Sequence, residues 1–235
     1  MTRRNKLVKF TEILTFPNVY QSTQVNHPEL SGIDGQKLTL NGRWQSHHFR
    51  NNNPITVELA CGHGDYTLAL AERYPDRNFI GVDIKGARIW KGASTAIEKK
   101  LKNVAFIRCK IEFIAQFFDE GEIDEIWITF PDPFLKESKY NRRMTSPPFI
   151  ENYRKVLGGN KIINVKTDSP EFYTHTKEVL GEMEIPLLND YFDIYSEKSL
   201  PHPDLDIITY YEKKHLAKGR TIKYLNFIPE REERE

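Results

Sequence analysis

Residues 55–66 read Ile55-Thr56-Val57-Glu58-Leu59-Ala60-Cys61-Gly62-His63-Gly64-Asp65-Tyr66. Ile55–Ala60 is a short, mostly apolar run that ends in a loop of small residues. Asp65–Tyr74 then places apolar residues at helical spacing. Small residues at positions 60, 62 and 64 let the backbone turn sharply and approach a ligand closely. Strand, glycine loop and helix together make the opening unit of a parallel α/β sheet, and in such sheets ligands bind beyond the carboxyl ends of the strands.

The same unit recurs downstream. Asn78–Val82, Val104–Arg108, Glu125–Phe130 and Lys161–Val165 read as strands. Ala87–Leu101, Ile111–Phe118, Ser146–Leu157 (closed by Gly158-Gly159) and Glu171–Leu180 read as helices. Units of about 25–30 residues predict an α/β, Rossmann-like fold: a mostly parallel sheet with helices on both faces. After Leu180 the stretches Leu187–Ile194, Ile207–Glu212 and Ile222–Phe227 are strand-like with no strong helix between them, which predicts an antiparallel C-terminal edge. Residues 1–53 are polar, punctuated by Pro17, Pro28, Gly32, Gly35 and Gly42, and end in Asn51-Asn52-Asn53-Pro54. They read as an N-terminal polar arm with one strand or hairpin near Lys37–Leu40. The main domain is then 54–229, followed by a charged tail, 230–235.

Composition narrows the class. The 235 residues are 39% hydrophobic and 29% charged, with net charge +1, ordinary for a soluble domain. No apolar run approaches the roughly 20 residues of a membrane span, and the basic start lacks the apolar stretch of a secretory signal. Cys61 and Cys109 form neither a disulfide framework nor a zinc pattern, so a reducing cytoplasm is the simplest compartment. The charge is unevenly spread: Arg3, Arg4, Lys6 and Lys9 form one basic cluster, and Lys136, Lys139, Arg142 and Arg143 a second. Such patches on a near-neutral protein suit a phosphate-bearing partner, although a solvated face accounts for either cluster equally well.

The chemistry of the first loop separates cofactor classes. A dinucleotide fingerprint wants a third Gly or Ala at position 67, which is Thr67. Glu58, just ahead of the turn, is unfavourable beside a phosphate and favourable beside a sulfonium or ammonium. Asp83, after the second strand, is placed to accept hydrogen bonds from ribose hydroxyls in either class. Helix capping or pairing with a nearby cation is the plainer reading of both carboxylates. Strand four runs into Pro131-Asp132-Pro133, where two prolines fix the backbone around Asp132 and hold its carboxylate in a stiff loop.

Taken together, Glu58-x-Ala60-x-Gly62-x-Gly64, Phe130-Pro131-Asp132-Pro133-x-x-Lys136 with Arg142-Arg143, Thr167-Asp168, and Thr209-x-x-Glu212 resemble, in this order, the bacterial tRNA (guanine-N7)-methyltransferases. The resemblance runs from about Pro54 to the C-terminal strands. It implies the S-adenosylmethionine methyltransferase version of the fold, transfer of a methyl group to N7 of a guanine in tRNA, and S-adenosyl-L-methionine as cofactor. It implies cofactor contacts from Glu58, Ala60, Gly62, Gly64, Asp83 and the position of Cys109. Asp132 is the implied catalytic residue, also near the cofactor. Lys136, Asp168, Thr209, Glu212, Arg142 and Arg143 are implied on the tRNA side. Three positions depart from the family: Ala60 where Gly is usual, Cys109 where an aspartate contacts adenine, and Phe134 where Trp is favoured. A thiol replaces a carboxylate acceptor poorly.

The reaction fits these residues. Guanine N7 carries a free lone pair and no proton, so no general base is needed. Carboxylates that accept from guanine N1–H and N2–H₂ would orient the base and offset the charge that develops on it. Tyr140 is a candidate stacking partner for a splayed base, and His47, His48 and His63 read as structural. A methyltransferase acting on another amino group or a small molecule remains open, as does an RNA-binding module on a degenerate fold.

Overall fold

In this computed structural model residues 5–24 and 28–230 are described, so Arg3, Arg4 and most of the charged tail lie outside the described residues. In chain order the strands are β1 (Val19–Gln21), β2 (Leu30–Ser31), β3 (Lys37–Leu38), β4 (Ile55–Leu59), β5 (Asn78–Asp83), β6 (Val104–Arg108), β7 (Ile123–Thr129), β8 (Leu157–Thr167), β9 (Leu187–Tyr191) and β10 (Lys223–Phe227). They form one sheet in the order β3-β2-β1-β6-β5-β4-β7-β8-β10-β9. β4 pairs in parallel with both β5 and β7, so the chain steps outward on one side of β4 and then on the other. That reversal is the topological switch point, where such sheets open a ligand crevice. β10 is antiparallel to β8 and β9, the C-terminal edge the sequence predicts.

The helices are α1 (Lys6–Glu12), α2 (Asp65–Arg73), α3 (Gly86–Glu98), α4 (Pro147–Val156), α5 (Pro170–Glu182) and α6 (Tyr210–Leu216). Their ends follow local chemistry. Ser169 caps α5 by accepting from Phe172 N at 3.1 Å, with Pro170 behind it. α3 buries Ile89, Ala93 and Ala96, and at Gly92 an added Cβ would sit 2.6 Å from the His63 carbonyl. Gly92 therefore lets α3 lie directly against the glycine loop. Apolar residues on both faces of the sheet form two clusters, one including Val57, Ile80, Ile126 and Ile163, the other Phe79, Phe106 and Trp127.

Three expectations are corrected. The described residues of 5–24 and 28–53 are not a polar arm: β1 adds to β6 in parallel, α1 precedes it, and Ile13, Val19, Leu40 and Trp44 are buried. The proline and glycine punctuation marks tight connections between short packed pieces. The predicted pairing near Lys37–Leu40 exists as β3 against β2. The stretch Ile207–Glu212 is not a strand, since α6 starts at Tyr210 behind a reciprocal Thr209/Glu212 capping box. The Thr-x-x-Glu spacing carried that helix signal, and the apolar, β-branched Ile207-Ile208-Thr209 masked it. The predicted fifth strand also runs further, from Leu157 to Thr167, and takes in Gly158 and Gly159.

Candidate active site

Ala60, Gly62 and Gly64 all take left-handed φ, at 58°, 59° and 71°. The three reversals turn the chain back over the end of β4. At Gly62 the nearest atoms to an added Cβ are 4.0 Å away, one of them on the Tyr211 ring, so the loop faces open space there. Gly64 differs: a Cβ would meet Phe106 Cε1 at 2.7 Å, so this glycine serves core packing and the start of α2.

Behind the loop Glu58 is 3% exposed. Its Oε2 accepts from Thr67 N at 2.8 Å and Thr67 Oγ1 at 2.5 Å, and its Oε1 from Thr129 Oγ1 at 2.7 Å. Burial nevertheless pushes its pKa up to about 7, against the pull of these hydrogen bonds, and the charge of Asp65 adds to the rise. Asp83 is also buried; Oδ2 accepts from Gly62 N at 2.9 Å and Oδ1 from Lys85 N at 2.7 Å. Each of its oxygens keeps a lone-pair direction for a further donor.

β7 ends at Thr129, and Phe130 N donates to Lys166 O at 2.8 Å with Phe130 at φ 49°. The chain then runs through Pro131-Asp132-Pro133. Asp132 is exposed, and its Oδ1 accepts from Phe134 N at 3.1 Å, a local turn that fixes the carboxylate. Arg143 ties this loop from behind by donating from Nε to Pro133 O at 3.1 Å and from Nη2 to Phe134 O at 3.2 Å. Arg142 lies over the Phe134 ring at 4.8 Å.

The opposite wall comes from the ends of β8 and α6. Asp168 pairs with Arg220, and its Oδ2 lies 3.0 Å from His215 Nδ1. The His215 ring stacks on Phe130 at 5.8 Å. Burial lowers the His215 pKa, with Asp168 pulling the other way. Lys223 Nζ donates to Asp168 O at 3.2 Å.

These walls enclose a cavity of about 710 Å³ whose lining includes Glu58, Ala60, Gly62, Asp132, Asp168 and Thr209. The fold thus brings together predicted residues from the ends of β4, β7 and β8 and from the cap of α6, while Asp83, at the end of β5, lies off the cavity wall and touches the loop through Gly62 N. Sequence reading missed Thr129, Tyr211, His215, Arg220 and Arg88, which also line the cavity, and Thr67, which holds Glu58. Thr67 had a signal, nine residues after Glu58 in the first turn of α2; Tyr211 fills an unspecified place inside Thr209-x-x-Glu212 and Thr129 directly precedes Phe130-Pro131-Asp132-Pro133, whereas His215, Arg220 and Arg88 lie in no local motif.

Three candidate residues are corrected. Glu212 is fully buried and ion-paired with Lys166 at 2.8 Å, so its carboxylate does not face the cavity. Cys109 is 2% exposed and off the cavity wall; burial pushes its thiol pKa well up, so it offers adenine no charged acceptor. Arg143 spends its guanidinium on loop carbonyls, whereas Lys136, Lys139 and Arg142 are exposed. Tyr140 stands edge-on to His175 at 4.5 Å, a packing contact.

A family model described as "Putative methyltransferase" matches residues 52–225. The chain is 44% identical over 225 residues to a tRNA (guanine-N(7)-)-methyltransferase of Bacteroides fragilis, covering 96% of this chain and 86% of that one. It is 41% identical over 227 residues to the protein of that name from Christiangramia forsetii, covering 97% and 99%. Among solved structures, the 16S rRNA methyltransferase KamB superposes with TM-score 0.58 at 12% identity, covering 80% of this chain and 93% of that one. The 30S ribosomal A1408 methyltransferase from an uncultured bacterium gives 0.55 at 18%, covering 82% and 95%. At such identities these two likenesses carry the fold alone. Among the described residues no helix is long and apolar enough to cross a membrane.

Proposed function

The chain belongs to the tRNA (guanine-N7)-methyltransferase family, and from that premise we propose how its cavity works. The enzyme transfers a methyl group from S-adenosyl-L-methionine to N7 of a guanine in tRNA. The observation that carries this reading is the donor set: two buried carboxylates, Glu58 and Asp83, flank a left-handed loop that stays open at Gly62. That set suits a cation and ribose hydroxyls and repels phosphates, so the residues present fit this cofactor. When bound, the cofactor supplies an electrophilic methyl group on a sulfonium.

Every other task falls to the chain. Glu58, held by Thr67 and Thr129, provides the negative charge; Asp83 receives the ribose while it braces Gly62. Asp132, in its proline-bounded loop, accepts from the guanine edge and offsets the charge that develops on the ring. Asp168 and Thr209 orient the base from the facing wall, and no side chain removes a proton, since N7 has none. Lys136, Lys139 and Arg142 hold tRNA phosphates, which position the RNA without reading it. We assign the catalytic machinery to residues 54–229, with the N-terminal segment extending its sheet, and a cytoplasmic setting follows from a tRNA substrate. Incubation with methyl-labelled S-adenosylmethionine and unmodified tRNA tests the reading: label enters the RNA, and its failure to do so contradicts the assignment.

A further inference from the structure

Lys166 is the penultimate residue of β8, immediately before Thr167-Asp168, and its side chain and that of Glu212 are both 0% exposed. Three donors are available on its ammonium, and all three are used. Nζ donates to Glu212 Oε2 at 2.8 Å, Leu205 O at 3.0 Å and Ile207 O at 3.1 Å. Glu212 is used equally fully. Its Oε1 accepts from Tyr195 OH at 2.9 Å, and its Oε2 reaches back to Thr209 N at 3.4 Å to close the capping box. The main chain of Lys166 meanwhile accepts from Phe130 N at 2.8 Å. One residue therefore references both walls of the cavity to the same point on the sheet: the Pro131-Asp132-Pro133 loop through its carbonyl, and 205–212 through its ammonium.

We propose that Lys166 and Glu212 are positioning residues that hold Thr209, Tyr211 and His215 at the cavity wall, and that neither touches the target base. This rests on the methyltransferase reading above and deepens it by moving the glutamate of the Thr-x-x-Glu segment from substrate contact to scaffold. A buried ion pair is a poor stability device, because desolvation offsets most of the Coulombic gain; fixing geometry is the better reason for one beside an active site. Asp204 has its own anchors, from Tyr66 OH to its carbonyl at 2.7 Å and from Arg73 and Tyr74 to its carboxylate. Asp206 is also held by Arg73, and Tyr210 N by Asp65 Oδ2 at 3.0 Å, so losing Lys166 loosens the Leu205 and Ile207 carbonyls and the α6 cap without releasing the whole segment.

The test compares Lys166→Met, Glu212→Gln and the double variant Lys166→Met/Glu212→Leu with the wild type, reading amide exchange, turnover on tRNA and cofactor affinity. Backbone amides of 205–212 exchange faster in Lys166→Met, and turnover falls by roughly ten- to a hundredfold, the scale of a misplacement near 1 Å. The double variant is no slower than Lys166→Met, because both residues act through one pair. Affinity for S-adenosylmethionine stays within about twofold, a readout that separates wall positioning from general loss of fold. Wild-type exchange and turnover in Lys166→Met beside a dead Glu212→Gln would mean that Glu212 meets the base, and would overturn the proposal. So would loss of cofactor affinity in step with melting temperature. Should Lys166→Met not fold, Tyr195→Phe carries the test, since it removes a single bond to Glu212 from a side chain 40% exposed; unchanged exchange of 205–212 there also overturns it. Absence of N7-methylguanosine from the wild-type reaction overturns the tRNA reading instead, and the exchange data still decide the positioning claim.

Discussion

Thr129 Oγ1, at the end of β7, donates to Glu58 Oε1 on β4 at 2.7 Å, which ties the carboxylate we assign to the cofactor to the strand that delivers Asp132. The bond crosses the switch point of the sheet, so the two halves of the site share a fixed reference. A buried acid whose pKa is pushed up to about 7 has further consequences in solution.

Cofactor affinity rises with pH until about 7 and then levels. Below that value Glu58 is protonated in the free protein, and a cation beside it favours the ionised form, so binding expels a proton. Each pH unit below 7 weakens binding by up to about tenfold. Calorimetry in buffers of different ionisation heat measures this proton release; none at pH 6 would contradict the role of Glu58.

The ligand-free protein shows the opposite slope. The folded-state pKa of Glu58 lies above its unfolded value of 4.5, so its contribution is fully present below 4.5 and is lost as pH rises through 7. The difference amounts to roughly 3 kcal/mol. Glu58→Gln removes that dependence, so its melting temperature falls less between pH 5 and 7.5 than that of the wild type.

Ala60 occupies left-handed backbone at φ 58°, which costs a residue with a Cβ about 1 kcal/mol. Ala60→Gly relieves it and raises the melting temperature by about 2–4 °C. A drop instead would mean that the alanine methyl packs productively.

Asp132→Asn keeps an oxygen for Phe134 N and removes only the charge. Turnover falls about a hundredfold, with little change in melting temperature because the side chain is exposed. Near-wild-type turnover would remove Asp132 from the reaction.

The two neighbouring arginines separate. Arg142→Ala weakens tRNA binding and lowers the slope of log affinity against log salt by about 0.7–0.9 per lost phosphate contact. Arg143→Ala loosens the Pro133–Phe134 loop that it holds, so turnover drops more than the salt slope changes. Identical effects of the two would contradict this division.

Much of this was legible in the sequence, for a physical reason. The apolar runs at Ile55–Leu59 and Asn78–Val82 and the glycines after Glu58 answer to local rules of strand, turn and close approach. Glu58 and Asp83 meet the same glycine loop because the parallel pairing of β4 and β5 sets their ends side by side, Glu58 lining the cavity and Asp83 holding Gly62 N from behind it. What failed depended on distant partners. Thr209-x-x-Glu212 has one local pattern, but whether Glu212 faces a base or Lys166 is set by β8, more than 40 residues earlier in the chain. The N-terminal segment looked like an arm because strands of two and three residues, β1 to β3, are too short for any periodicity. Cys109 sits where an adenine contact was expected, yet the core takes it in. The stacked Phe130 and His215 rings meet only in the folded chain.

The most direct measurement is mass analysis of nucleosides from unmodified tRNA treated with the enzyme and S-adenosylmethionine. The account predicts N7-methylguanosine as the product, strongly reduced with Asp132→Asn and with Lys166→Met. Methylation of a different base, or of the same base at full rate in Asp132→Asn, would contradict it.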